Sequence, residues 1–138
     1  MRFVLLSVMS LWAAVAVGCG GGKPAETGGA KSDVKEPATL EEQMALGEKA
    51  YGAACASCHG ASGEGKAKAP ALVGPKGFDD YKTAKDAFDY IKGNMPSDKP
   101  TSLSDAEYWA ITAYLAKKNN YPVDKKLDAG NAAGIKRP

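Results

Sequence analysis

The sequence predicts an all-α fold, a small domain of three main helices and long loops. Three observations carry this prediction. Three segments open on a hydroxyl residue followed three places later by an acidic one, and each continues with apolar residues at helical spacing. No stretch alternates convincingly as a strand would. The connections are rich in glycine and proline, and loops of such length are unusual in a small domain unless they wrap around something. At 138 residues the chain holds one ordinary domain at most.

Taken in order, the chain begins with one basic residue, Arg2, and an apolar run from Phe3 to Val17. That run is shorter than the roughly 20 residues a membrane span needs, and its layout is that of a secretory signal. Ala16, Val17 and Gly18 lead into Cys19. The segment resembles a bacterial lipoprotein signal, with Ala16 standing where leucine is usual. The resemblance implies removal of residues 1–18, a lipid anchor on Cys19, and an exported protein held to a membrane on its periplasmic or cell-surface side. An ordinary signal peptide cut near Cys19 is the alternative. Residues 19–38 carry almost no large apolar side chains, so they read as a flexible tether with a mean span of roughly 25 Å.

The folded domain is expected over residues 39–119, with 120–138 as a C-terminal extension that either wraps the domain or stays disordered. So short a unit buries only about 60–65% of its unfolded surface and often needs a cofactor to be stable. Thr39 with Glu42 opens the first helix, which places Leu40, Met44, Gly47 and Tyr51 on one face. Thr83 with Asp86 opens the second, "AKDAFDYIK", which buries Phe88 and Ile91 and stops at Gly93. Ser104 with Glu107 opens the third, with Tyr108, Ile111 and Leu115 on one stripe and lysines in its last turn.

Charge excludes some functions. Lys and Arg number 18 against 16 Asp and Glu, and Arg2 leaves with the signal. No basic stripe points to nucleic acid, and no charge block selects a strongly charged partner.

The chemistry is concentrated in Cys55-Ala56-Ser57-Cys58-His59. A structural zinc site needs four ligands, but the chain has one histidine and three cysteines, and Cys19 belongs to the signal or anchor. A thioredoxin-like pair follows a strand and opens a helix, whereas this motif ends a helix in a chain without a β pattern. Haem fits each residue: Cys55 and Cys58 lie one helical turn apart, where they can form thioethers to the vinyl groups, and His59 then supplies an axial nitrogen. One covalent haem c is therefore the expected cofactor. With no second histidine, the sixth ligand is a methionine, a lysine, the N-terminal amine or an open position. Met1 and Met9 leave with the signal, and Met44 lies on an apolar helix face. Met95, in the loop "GNMP", has no amphipathic face to bury, and iron ligation would explain it.

These residues resemble the class I, mono-haem cytochromes c over Leu46–Lys117. The resemblance rests on "CASCH", the loop Pro70-Ala71-Leu72, Met95-Pro96 and the last helix "YWAITAYL". It implies that Gly47 and Tyr51 cross the last helix near Ile111 and Tyr114, that Pro70 accepts a hydrogen bond from His59 Nδ1, and that Leu72 packs on the haem. It also implies an electron-transfer protein rather than an enzyme, exchanging one electron at a time with a redox donor and acceptor in transient encounters, with no small-molecule substrate. The alternatives are a haem enzyme or sensor with a labile sixth ligand, and the haem subunit of a larger oxidoreductase.

Overall fold

The structure, a computed structural model, describes residues 33–67 and 69–138. The expected signal at 1–18, the anchor Cys19 and the tether up to residue 32 lie outside the described residues. Four helices follow in order: α1 Leu40–Ala54, α2 Ala56–His59, α3 Ala84–Asn94 and α4 Asp105–Lys118, with a 3₁₀ turn at Ala132–Gly134. Among the described residues there is no strand, only the isolated bridges Lys66–Ala69 and Thr83–Lys136. No helix among them is long and apolar enough to cross a membrane.

The helix starts follow from their caps. At α3 and α4 the reciprocal boxes form, Thr83 with Asp86 and Ser104 with Glu107. At α1 only half of the expected box forms. Thr39 Oγ1 accepts from Glu42 N–H, while the Glu42 carboxylate reaches back one residue further, to Ala38 N–H at 2.8 Å. α3 also runs through Gly93 to Asn94 and ends at Met95, whose backbone is extended (φ −125°, ψ 147°). Extended geometry breaks the helix without needing a left-handed glycine.

α1 packs across α4, and α3 packs on α4 beside it. The buried face of α1 is Gln43, Gly47, Ala50 and Tyr51, a rotation from the expected stripe, since Leu40 and Met44 are only half-buried. α4 is buried nearly all round, from Ala106 to Ala116, the pattern of a helix covered on more than one side. α1 and α3 supply part of that cover. Phe88 of α3 stacks on Trp109 of α4 at 3.6 Å, with the rings within 9° of parallel.

The rest of the cover is the C-terminal segment. Leu127 and Ala132 pack with Ala113 of α4 and Ala84 of α3, and Tyr121 and Val123 join the main core. Gln43, fully buried on α1, is satisfied by this segment in both directions. Its Nε2 donates to Leu127 O at 2.8 Å, and its Oε1 accepts from Leu127 N–H at 2.7 Å. A buried amide without partners would cost about 1–3 kcal/mol, so this pair fixes the segment in one register. Glu36, ahead of α1, pairs with Lys126 at 2.8 Å.

Candidate functional site

A cavity of about 790 Å³ opens toward the core. Cys55, Cys58 and His59 line one wall, Pro70 and Leu72 line the loop side, and Met95 lines the end of α3. The floor is apolar, formed by Ile91, Ile111 and Leu115. The sequence motif and the loop methionine, 36 positions apart, thus share one enclosure.

The motif sits on its own short helix. The backbone departs from α1 at Cys55 (φ −118°, ψ −37°), and α2 then carries Cys58 and His59. Gly60 ends α2 at φ 88°, a left-handed angle that favours glycine. Two side chains outside the motif hold this turn. Tyr51 Oη donates to Gly60 O at 2.8 Å. Lys66 Nζ donates to the end carbonyls of α2, Ala56 O at 3.2 Å and Ser57 O at 3.0 Å, where a cation also complements the helix dipole.

His59 is 7% exposed, and its Nδ1 lies 2.9 Å from Pro70 O. A carbonyl only accepts, so Nδ1 carries the proton and Nε2 keeps its lone pair for a metal. Met95 is held by its backbone. Its N–H donates to Ile91 O at 2.8 Å, and its carbonyl accepts from the buried Tyr108 Oη at 2.9 Å. Leu72 is fixed likewise, since Asn119 Nδ2 donates to Leu72 O at 2.7 Å. Tyr51 and Tyr108 were legible in the sequence as apolar stripe residues. Their positioning roles were not, although a buried tyrosine hydroxyl always requires a partner.

Burial sets the acidity of the Cys55 thiol. Cys55 and Cys58 are not bonded to each other. Burial first, and the neighbouring Cys58 second, push the Cys55 thiol up to about 11. A thiol so raised stays protonated near neutral pH, unlike the low-pKa thiolates of disulfide oxidoreductases. The donor set is two thiols, one imidazole with a free Nε2 and one thioether, around an apolar cavity. It fits a covalently bound haem, with Cys55 and Cys58 as attachment points.

The loop after His59 carries an acid-sensitive brace. Glu64 accepts backbone N–H bonds, its own and that of Ser62 at 2.8 Å. Those bonds, more than the nearby Lys66, hold its carboxyl below the ordinary value of 4.5. A carboxyl lowered in the folded state adds stability above its unfolded value, and that contribution is lost as pH falls through the folded one. A Glu64→Gln protein should therefore melt below the parent near neutral pH. The gap in melting temperature should close as pH drops below 4.5. Melting curves across pH check this; a gap independent of pH would exclude the carboxylate brace.

Comparison with known proteins identifies the family. The family model described as cytochrome c oxidase, cbb3-type, subunit III matches residues 42–115, more than half of the chain. Thiosulfate dehydrogenase of Psychrobacter arcticus is 38% identical over 91 residues, covering 59% of this chain and 28% of that protein. Thiosulfate dehydrogenase of Stutzerimonas stutzeri is 33% identical over 96 residues, covering 64% and 31%. The chain thus spans under a third of the length of these curated relatives. Among solved structures, the sulfane dehydrogenase SoxCD from Paracoccus pantotrophus superposes with a TM-score of 0.59 at 28% identity, covering 69% of this chain and 53% of that one. A match over residues 42–115, which include the cysteine–histidine turn and Met95, places the chain: it belongs to the family described as cytochrome c oxidase, cbb3-type, subunit III, and is a mono-haem, class I-like cytochrome c domain carrying covalently bound haem c.

Proposed function

We propose that the protein is a one-electron carrier whose haem iron is held between His59 Nε2 and Met95 Sδ. The observation that carries this reading is the placement of Met95 and His59 on one cavity. Each is braced from behind, His59 by Pro70 O and Met95 by Tyr108. When bound, the haem supplies a reversible one-electron couple. Cys55 and Cys58 retain it, Pro70 orients the imidazole, and the Tyr108 hydroxyl keeps the Met95 loop against the cavity. With His59 and Met95 both holding the iron, no position would be left open for a substrate, which argues for a carrier and not an enzyme or sensor.

The carrier is tethered in this reading, with Cys19 as the lipid anchor and the following residues as the tether on the exported face of a membrane. A tether of that kind raises the local concentration of partners on the same membrane. Encounters with a redox donor and acceptor are transient and small in area. The similarity to proteins named thiosulfate dehydrogenase and sulfane dehydrogenase favours a donor of one class, a separate protein that oxidises inorganic sulfur compounds. A lasting complex with that protein is the alternative, in which the chain would be the haem subunit of a larger oxidoreductase.

Met95→Ala tests the reading. The oxidised parent should show a weak far-red absorption from sulfur–iron charge transfer, and the variant should lack it. The variant should keep its covalent haem while its ferric form gains more than tenfold over the parent, a drop of more than about 59 mV for a one-electron couple. Loss of Met ligation lowers the potential because Met/His ligation raises it. An unchanged spectrum and potential would remove Met95 from the iron and leave the enzyme or sensor reading.

A further inference from the structure

One wall of the cavity, formed by Phe78, Asp80 and Tyr81, belongs to a loop without a helix of its own. Phe78 is buried there with φ at 62°, in the left-handed region that a bulky L side chain occupies only under constraint. The constraint comes from residues 121–137. Tyr121 Oη donates to Tyr81 O at 2.6 Å and lies 3.3 Å from Phe78 O. With a single proton, the hydroxyl bonds mainly to Tyr81. Its ring meets Phe78 edge-on at 6.1 Å. Arg137 Nη1 donates to Asp79 O at 3.1 Å, and Nη2 pairs with the Asp79 carboxylate at 2.8 Å. Arg137 N–H reaches Lys82 O at 3.1 Å, and Ile135 O accepts from Ala84 N–H at 2.9 Å.

The C-terminal segment thus grips the loop at successive backbone carbonyls, yet neither Tyr121 nor Arg137 lines the cavity itself. We infer that Tyr121 and Arg137 are positioning residues, which press the Phe78–Tyr81 wall onto the haem from outside and so hold its reduction potential up. The inference rests on the carrier reading, with His59 and Met95 on the iron. Ferric iron bears one more positive charge than ferrous, so an apolar, closed cavity disfavours it and water entering past a loosened wall favours it. The strained Phe78 is the point where release would begin.

The test is potentiometric titration and thermal melting of the full-length holoprotein carrying Tyr121→Phe, Arg137→Ala or Arg137→Lys. Tyr121→Phe keeps the ring packing and removes the hydroxyl. Arg137 is on the surface, so its variants retain the fold. Tyr121→Phe and Arg137→Ala should each shift the ferric-to-ferrous ratio about threefold to tenfold toward ferric, tenfold being about 59 mV for a one-electron couple. The far-red band should persist, and Arg137→Lys should recover part of the shift by keeping the charge without the two-pronged grip. A potential unchanged or raised in both Tyr121→Phe and Arg137→Ala overturns the inference even if melting temperatures fall, because a merely structural segment moves stability alone. Absence of the band in the parent is a different result, the failure of the axial-ligand reading itself.

Discussion

Replacing both Cys55 and Cys58 by serine should yield a chain with no covalently held haem and no cooperative fold. The reason is the size of the site relative to the rest of the core. The cavity measures about 790 Å³, and its floor includes Ile91, Ile111 and Leu115, which are also central residues of the main cluster. Leaving a void costs roughly 24 cal/mol per Å³, so even half of this volume left empty would match the roughly 5–15 kcal/mol that stabilises an ordinary domain. Flooding it with water removes the burial of the same side chains instead. Serine preserves the size of cysteine and the helical turn, so the attachment chemistry is the property removed. Haem staining of a denaturing gel reads the attachment, and far-ultraviolet circular dichroism through a thermal ramp reads the fold. A haem-free double variant that melts cooperatively near the parent would show that the helices do not depend on the cofactor.

The features legible in the sequence were local ones. Caps at Thr83 and Ser104 act within one helical turn, and they mark the starts of α3 and α4 in the structure. The spacing of Cys55, Cys58 and His59 is likewise a local statement about one turn of helix, and the single histidine and the lack of a β pattern narrow it to haem attachment. What escaped was set by distant contacts. Gln43, on which the helical pattern is silent, is fully buried, and Leu127, 84 positions away, satisfies both ends of its amide. Whether residues 120–138 wrap the domain could not be decided from their composition. The deciding partners, Ala113 on α4 and the loop carbonyls near Phe78, are specified elsewhere in the chain. The bond from His59 to Pro70 O was implied by family resemblance and not by spacing, since nothing in the ten intervening loop positions dictates where that carbonyl points.

Gly47→Ala should destabilise the holoprotein by about 2–3 kcal/mol, and Gly47→Val by more. Gly47 lies where α1 crosses α4. A Cβ there would collide with the carbonyl oxygen of Ala110 and come within 2.8 Å of both Ala110 C and Tyr114 Cβ. Backbone atoms cannot rotate aside as a side chain tip can, so the two helices must separate. Alanine gains up to about 1 kcal/mol of helix propensity over glycine, and the predicted loss is what remains after that gain. Gly52, on the exposed side of the same helix, gives the control: a Cβ there meets nothing within 4 Å. Gly52→Ala should therefore raise stability by about 0.5–1 kcal/mol through propensity alone. The two substitutions are chemically identical and lie on one helix, so opposite signs isolate the crossing as the cause. Thermal melting should place Gly47→Ala lower than the parent by about 10–20 °C and Gly52→Ala a few degrees higher, at about 4–8 °C per kcal/mol for a domain of this size. Because Ile111 and Leu115 of α4 also line the cavity, forcing α4 away from α1 should disturb the haem's visible spectrum in the Gly47 variants and leave it untouched in Gly52→Ala. Equal melting temperatures for Gly47→Ala and the parent would mean that the helices can part without cost, and the close crossing would lose its role as the joint that shapes the haem cavity.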